Sequence, residues 1–224
     1  MEDRFGTHCS RLLYSVCRSV SGVAMTCLSG VRHFNVPGPD VIDRGILLAA
    51  NHQSFLDPML VGMALERPVH YLARKSLLDL PVFGGLIGML NAHPLRRGRV
   101  DGVALRKVLE ALRSGEPLLL FPEGTRCRDG SLGLFRTGVG EIALRCEVPV
   151  MPVCIEGAFE SWPRHEALPR PARIAVAFGS ALKVADGSAE DLTRCIEDRI
   201  RQKQRWLRRY VGRDERAVKG ETFG

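Results

Sequence analysis

An imidazole and a carboxylate stand five residues apart in Asn51-His52-Gln53-Ser54-Phe55-Leu56-Asp57-Pro58, directly after the apolar run 46–50. These two types at short range suit a general base with its orienting acid. The ring takes a proton from a hydroxyl, while the carboxylate holds the tautomer and stabilises the imidazolium. In a continuous helix, positions five apart point about 140° away from each other. The pairing therefore needs a turn, with His52 ahead of a helix and Asp57 in its first turn, where the dipole favours a carboxylate. Asp-Pro is also an ordinary helix start, with Asp57 as N-cap and Pro58 at the first helical position. The two roles are compatible.

A second group, Phe121-Pro122-Glu123-Gly124-Thr125-Arg126, follows the apolar run Leu118-Leu119-Leu120. Loops at the carboxyl ends of strands are where α/β sheets place ligands. Gly124 lets backbone N–H groups approach an anion, Thr125 adds a hydroxyl, and Arg126 offers a planar fork that matches two phosphate oxygens. Glu123 would position an arginine or a substrate hydroxyl. The competing reading is a plain surface turn with Glu123 paired to Arg126. Another cationic loop, Arg96-Arg97-Gly98-Arg99, follows the run ending at Leu95. Two such loops at one sheet edge suit a dianion, although a basic turn is often merely solvated. Lys75 and Asn51 are secondary candidates for substrate contact.

Taken together, these spacings resemble the glycerolipid acyltransferase family, the phosphate-acyltransferase group that includes 1-acylglycerol-3-phosphate acyltransferase. Its Asn-His-x4-Asp motif is matched by Asn51, His52 and Asp57, and its arginine after a short strand by Arg97. Phe-Pro-Glu-Gly-Thr-Arg is matched without departure at 121–126, and Val-Pro-Val-x-Pro by Val148, Pro149, Val150 and Pro152. The pattern from Arg74-Lys75 through Pro81, Phe83 and Gly84 is also similar. The resemblance implies transfer of a fatty acyl group from acyl-CoA or acyl carrier protein to a lysophospholipid hydroxyl, with 1-acylglycerol 3-phosphate giving phosphatidic acid as the leading case. His52 would be the base and Asp57 its partner. Arg97, Glu123, Gly124, Thr125 and Arg126 would hold the acceptor phosphate, with no cofactor beyond the thioester co-substrate. Glycerol 3-phosphate, another lysophospholipid or a lyso-aminolipid are alternative acceptors. A lipid esterase is the remaining alternative, but no Gly-x-Ser-x-Gly elbow is present, and Ser54 reads as a capping hydroxyl.

The elements that must position these groups alternate. Apolar runs near 46–50, 69–73, 92–95, 117–121, 150–155 and 174–178 read as strands, and 58–66, 76–90, 101–114 and 137–146 as helices. Alternation of this kind predicts an α/β fold with a mixed, largely parallel sheet flanked by helices. The segment 77–90 is almost wholly apolar and suits a core or an acyl channel. Residues 1–36 form an N-terminal segment in which Leu12, Val16, Val20, Ala24, Leu28 and Val31 line one stripe of an amphipathic helix or helical hairpin. Its charge-free part is too short to span a bilayer, which needs about 20 residues. The stripe suits an interfacial helix or one that packs on its own domain. Residues 37–187 form the α/β domain. From Ser188, whose spacing to Asp191 resembles a capping box, a basic helix runs to 211 with Leu192, Ile196, Ile200, Leu207 and Tyr210 on one face. Residues 212–224 read as a disordered tail.

Composition narrows the partners. The 224 residues are 45% hydrophobic and carry a net charge of +7. That content supports a sizeable core, and the charge favours anionic partners. Aromatics make up only 6%, without an RNP-like run, zinc-finger spacing or basic heptad, so no nucleic acid is expected. An anionic membrane surface fits better, with the chain peripheral or monotopic on the cytoplasmic face. Seven scattered cysteines without a Cys-x-x-Cys pair suggest no disulfide framework and no metal site, and they suit a reducing setting. The start of the chain lacks the pattern of a secretory signal.

Overall fold

Leu47–Ala50 (β2), buried at every position, is the strand around which the sheet is assembled. It pairs in parallel with Leu118–Leu120 (β5) on one side and Val150–Glu156 (β6) on the other, with Leu47 opposite Leu118 and Val150. The computed structural model describes residues 16, 19, 22, 25, 29, 30–74, 92–95, 102–183 and 187–212. Over these, seven strands stand in the order β1-β7-β6-β2-β5-β3-β4, adding Arg32–Phe34 (β1), His70–Arg74 (β3), Ala92–Leu95 (β4) and Ala175–Phe178 (β7). All neighbouring pairs are parallel except β6 with β7. The expected mixed, largely parallel α/β sheet is the one found.

Successive side chains of a strand point to opposite faces, so β2 feeds two cores. Leu48 and Ala50 join Leu60, Val61, Leu119, Val153, Ile155 and Phe178 on one face, against helix Asp57–Ala64 (α2; the short turn Pro39–Ile42 is α1). Leu47 and Ala49 join Val108, Leu112, Ala143, Cys154, Ile196, Ile200 and Leu207 on the other. That face is covered by Gly102–Arg113 (α3), Gly138–Cys146 (α4) and Ala189–Val211 (α6), with Ala158–Ser161 (α5) between β6 and β7. Because both faces are covered, the central strands read as continuous apolar runs rather than alternating ones.

The long helix α6 starts as the sequence predicts. Ser188 Oγ accepts from the Asp191 N–H at 3.1 Å and donates to Asp191 Oδ2 at 2.8 Å. Ile196, Ile200, Gln204 and Leu207 are buried against the sheet, so the basic helix docks on its own domain and leaves Arg194, Arg199, Arg201, Arg205 and Arg209 exposed. The sheet also reaches into the 1–36 segment through β1, held by the parallel pair Arg32 to Ala175 and by His33 Nε2 at 2.8 Å from Leu60 O. Of the expected N-terminal stripe, Val16 is exposed and Val31 is buried; outside the stripe, Met25 and Ser29 are buried as well. Helical Gly22 lies beside Met63, whose methyl end is 3.9 Å from where a Cβ would stand. Leu12, Val20, Ala24 and Leu28, the segment 76–90, and the tail beyond 212 lie outside the described residues. Among the described residues no helix is long and apolar enough to cross a membrane.

Candidate active site

Because β2 lies between β5 and β6, three loops leave the same carboxyl edge side by side: 51–56, 121–137 and the turn at Gly157. The first carries His52. Its Nδ1 lies 2.7 Å from Asp57 Oδ2. That same oxygen accepts from the backbone N–H groups of Gln53 at 2.6 Å and Ser54 at 2.8 Å. Asp57 is fully buried and is the first residue of α2, with Leu56 as N-cap. The N-cap expectation for Asp57 is thus corrected. Its carboxylate turns back to the loop ahead of the helix instead of forward to the first-turn amides, and this reversal brings it to the ring. His52 Nε2 meets no hydrogen-bond partner among the described residues, and the side chain is 20% exposed. With Nδ1–H donated to the carboxylate, Nε2 is left as an outward-facing acceptor. Phe121 stacks on the ring, 4.0 Å between centroids and 18° from parallel, and restricts its rotation.

Other residues expected at the site hold the loop rather than face a substrate. Asn51 is buried, and its amide makes a two-way pair with Ile155 on β6, donating to the carbonyl at 2.8 Å and accepting from the N–H at 2.7 Å. Substrate contact by Asn51 is therefore corrected to a positioning role, since both ends of the amide are committed. Glu123 is tied to the same loop. Its two oxygens accept from the N–H of His52 at 2.7 Å and of Gly133 at 2.9 Å, so it braces the histidine backbone. Burial pushes its carboxyl above the usual range, and the two donors hold it partly back. The competing reading, a surface turn closed by a Glu123–Arg126 pair, is not what forms: no such pair occurs among the described residues. Ser54 is buried, donates to Trp162 O at 2.8 Å and accepts from the Leu56 N–H at 3.2 Å. The expected capping role is corrected: the hydroxyl closes a turn ahead of the helix, whose N-cap is Leu56 with no side-chain cap, and its proton is committed to Trp162 O.

The anion loop is rearranged relative to expectation in one respect. The Gly124 N–H closes its own turn onto Phe121 O at 2.9 Å, so it is not free to face an anion. Gly124 instead has φ +68°, and a Cβ there would stand 3.1 Å from Arg136 Nε. The left-handed backbone favours glycine here, and a Cβ would press on the Arg136 guanidinium. Thr125 is exposed, and its hydroxyl meets no partner among the described residues. The Arg126 guanidinium sits over the Phe55 ring, 3.4 Å from Cζ to centroid, and Phe55 leans on Trp162 at 5.3 Å. The stack orients a planar cation beside the His52 loop. Arg136, exposed next to Gly124, is a further cation that the motif spacing did not reveal, because it is brought in by the Arg136 N–H to Pro122 O bond of 3.0 Å. Arg97 and Lys75 lie outside the described residues. No cluster of three metal-ligating side chains occurs among the described residues.

A family model described as Acyltransferase matches residues 33–156. Similar curated proteins include a 1-acyl-sn-glycerol-3-phosphate acyltransferase of Cocos nucifera, 27% identical over 72% of this chain and 54% of that protein. The chloroplastic BAT2 protein of the same description from Brassica napus is 32% identical over 58% of this chain and 37% of its own length. One from Pseudomonas aeruginosa is 27% identical over 80% of this chain and 69% of its own. The chain thus spans about half the length, or less, of these plant relatives. The crystal structure of the 1-acyl-sn-glycerophosphate (LPA) acyltransferase PlsC from Thermotoga maritima superposes with a TM-score of 0.74 at 27% identity, covering 92% of this chain and 84% of that one.

Proposed function

Since the chain belongs to the acyltransferase family, we propose that it moves a fatty acyl group from a thioester to the free hydroxyl of a lysophospholipid, with 1-acylglycerol 3-phosphate as acceptor. The observation that carries this reading is the His52–Asp57 pair, with Nδ1 committed and Nε2 turned outward beside a loop bearing Thr125 and Arg126. Nε2 takes the proton of the acceptor hydroxyl as the oxygen attacks the thioester carbonyl carbon. The new ester C–O bond forms and the C–S bond breaks. The departing thiolate then recovers the proton from the imidazolium, which Asp57 stabilises meanwhile. No covalent acyl-enzyme and no cofactor enter this scheme. Arg126, Thr125 and Arg136, joined by Arg97, hold the phosphate, and the aromatic stack keeps Arg126 from folding away.

The donor is acyl-CoA or acyl carrier protein. The chain works on the cytoplasmic face of an anionic membrane, bound peripherally or monotopically. The net charge of +7 and the outward Arg199, Arg205 and Arg209 of α6 favour that surface. The test is incubation of the purified protein with lysophosphatidate, glycerol 3-phosphate and other lysolipids, each with both donors, and identification of products by mass. Phosphatidic acid is expected, absent with His52→Ala although vesicle binding persists. A His52→Ala variant as active as the wild type overturns the mechanism, and acyl release without acceptor points to an esterase.

A further inference from the structure

We propose that Arg208, near the end of α6, is a positioning residue for the His52–Asp57 pair, acting through Glu156 and Gln53 on one side and Gly130 on the other. The proposal rests on the acyl-transfer reading above. Gln53, adjacent to His52, donates from Nε2 to Glu156 Oε2 at 3.3 Å and accepts at Oε1 from the Phe159 N–H at 3.3 Å. Glu156 ends β6 with only 7% of its side chain exposed. Two donors from α6 converge on it: Gln204 Nε2 reaches Oε2 at 3.0 Å and Arg208 Nε reaches Oε1 at 3.2 Å. The other arm of the same guanidinium, Nη2, donates to Gly130 O at 2.9 Å.

Gly130 belongs to the segment that fixes the backbone of His52 from its other side. Three residues before it, the Cys127 N–H donates to His52 O at 2.8 Å. Three residues after it, Gly133 holds Glu123, which in turn accepts from the His52 N–H. One guanidinium fork therefore grips both segments that locate the histidine. Gly130 has φ +79° and faces the Phe159 ring of α5, which would stand 3.4 Å from a Cβ at this position. Packing does not call for such a cluster. The docking of α6 is supplied by Ile196, Ile200 and Leu207, which face the apolar core. A buried carboxylate costs desolvation, and here burial raises the Glu156 carboxyl while Arg208 and Gln204 pull it back. Where a buried polar network is fully satisfied, it specifies a single arrangement of the loops it joins.

The test uses the full chain with Arg208→Met, Arg208→Lys and Glu156→Gln, and Ile200→Val as a control that loosens α6 without touching the cluster. Three quantities are read: kcat and acceptor KM with lysophosphatidate and acyl-CoA, the thermal midpoint, and the ring 15N shifts of His52 in substrate-free protein. Arg208→Met should lower kcat about ten-fold or more with acceptor KM within about twofold, because misplacement near an ångström costs up to about a hundredfold. Arg208→Lys should recover part, since an ammonium reaches Glu156 but cannot also fork to Gly130. The His52 signals should move in Arg208→Met and Glu156→Gln and stay in place in Ile200→Val. Unmoved His52 signals, or a kcat loss matched by Ile200→Val at an equal drop in thermal midpoint, overturn the proposal. If the wild type transfers no acyl group to lysophosphatidate, the acyl-transfer reading fails. The His52 signals still decide the coupling in that case.

Discussion

Replacing Asp57 by asparagine separates the charge of the pair from its geometry. One carboxylate oxygen, Oδ2, takes all three hydrogen bonds, while Oδ1 meets no donor among the described residues. An asparagine can keep its oxygen at the Oδ2 position and hold the ring and the loop in place, which puts its NH2 at the Oδ1 position. That group is then buried without an acceptor, costing about 1–3 kcal/mol of stability. For a chain of this size the loss lowers the thermal midpoint by roughly 2–10 °C. The larger effect falls on the transition state. At the observed 2.7 Å separation and an effective dielectric of about 20, a unit charge pair is worth about 6 kcal/mol, of which the amide dipole retains part. A loss of about 3–5 kcal/mol from imidazolium stabilisation corresponds to a fall in kcat of roughly 10²–10⁴. The assay is release of free thiol from acyl-CoA at saturating lysophosphatidate, run well below the midpoint of the variant. A kcat within about threefold of the wild type in a folded Asp57→Asn protein would refute the assigned role of the carboxylate, because no other acid touches His52 Nδ1 among the described residues.

Glu123→Gln leaves one of the two braced N–H groups, of His52 or Gly133, facing an amide NH2. Steady-state kinetics should show a kcat about 10- to 100-fold lower and little change in acceptor KM, the cost of one charge-assisted bond being about 1.5–3 kcal/mol; a lowered KM with intact kcat would mean that the carboxylate faces the phosphate. Arg126→Ala should raise acceptor KM roughly 30- to 150-fold, from about 2–3 kcal/mol of lost contact, and an unchanged KM would remove it from the phosphate site. His93 stacks on His70 with 2.9 Å between ring nitrogens. Burial, then the neighbouring His70 and Lys107, push its pKa down to about 4. The unfolded chain therefore binds the extra proton first: the contribution of His93 is complete above about pH 6.5 and is lost as pH falls toward its folded value. After allowance for solvent screening this amounts to roughly 1–2 kcal/mol. Chemical denaturation from pH 7 to 4 should show a smaller loss in His93→Gln than in the wild type. That difference curve isolates the effect from buried Glu123 and Glu156, whose raised pKa values act with the opposite sign. Parallel curves would refute it.

The sheet was legible wherever a strand is buried on both faces. Leu47–Ala50, Leu118–Leu120, Val150–Glu156 and Ala175–Phe178 read as short apolar runs because both of their surfaces are covered. Arg32–Phe34 was not legible as a strand. It is a polar edge of three residues whose only claim is the neighbour it pairs with. Within the site, His52 and Asp57 were legible because five residues and a turn suffice to join them. The roles of Asn51, Glu123 and Gly124 were decided by the tertiary structure. Asn51 meets Ile155 across 104 positions, and Glu123 meets His52 across 71. Arg208 reaches Glu156 and Gly130 across 52 and 78. A motif can mark such residues as needed, but a hydrogen bond to a distant backbone leaves no periodicity and no preferred neighbour in the sequence. Whether a carboxylate or amide near a base faces the substrate or braces the loop depends on which backbone groups the closed sheet leaves within about 3 Å of it.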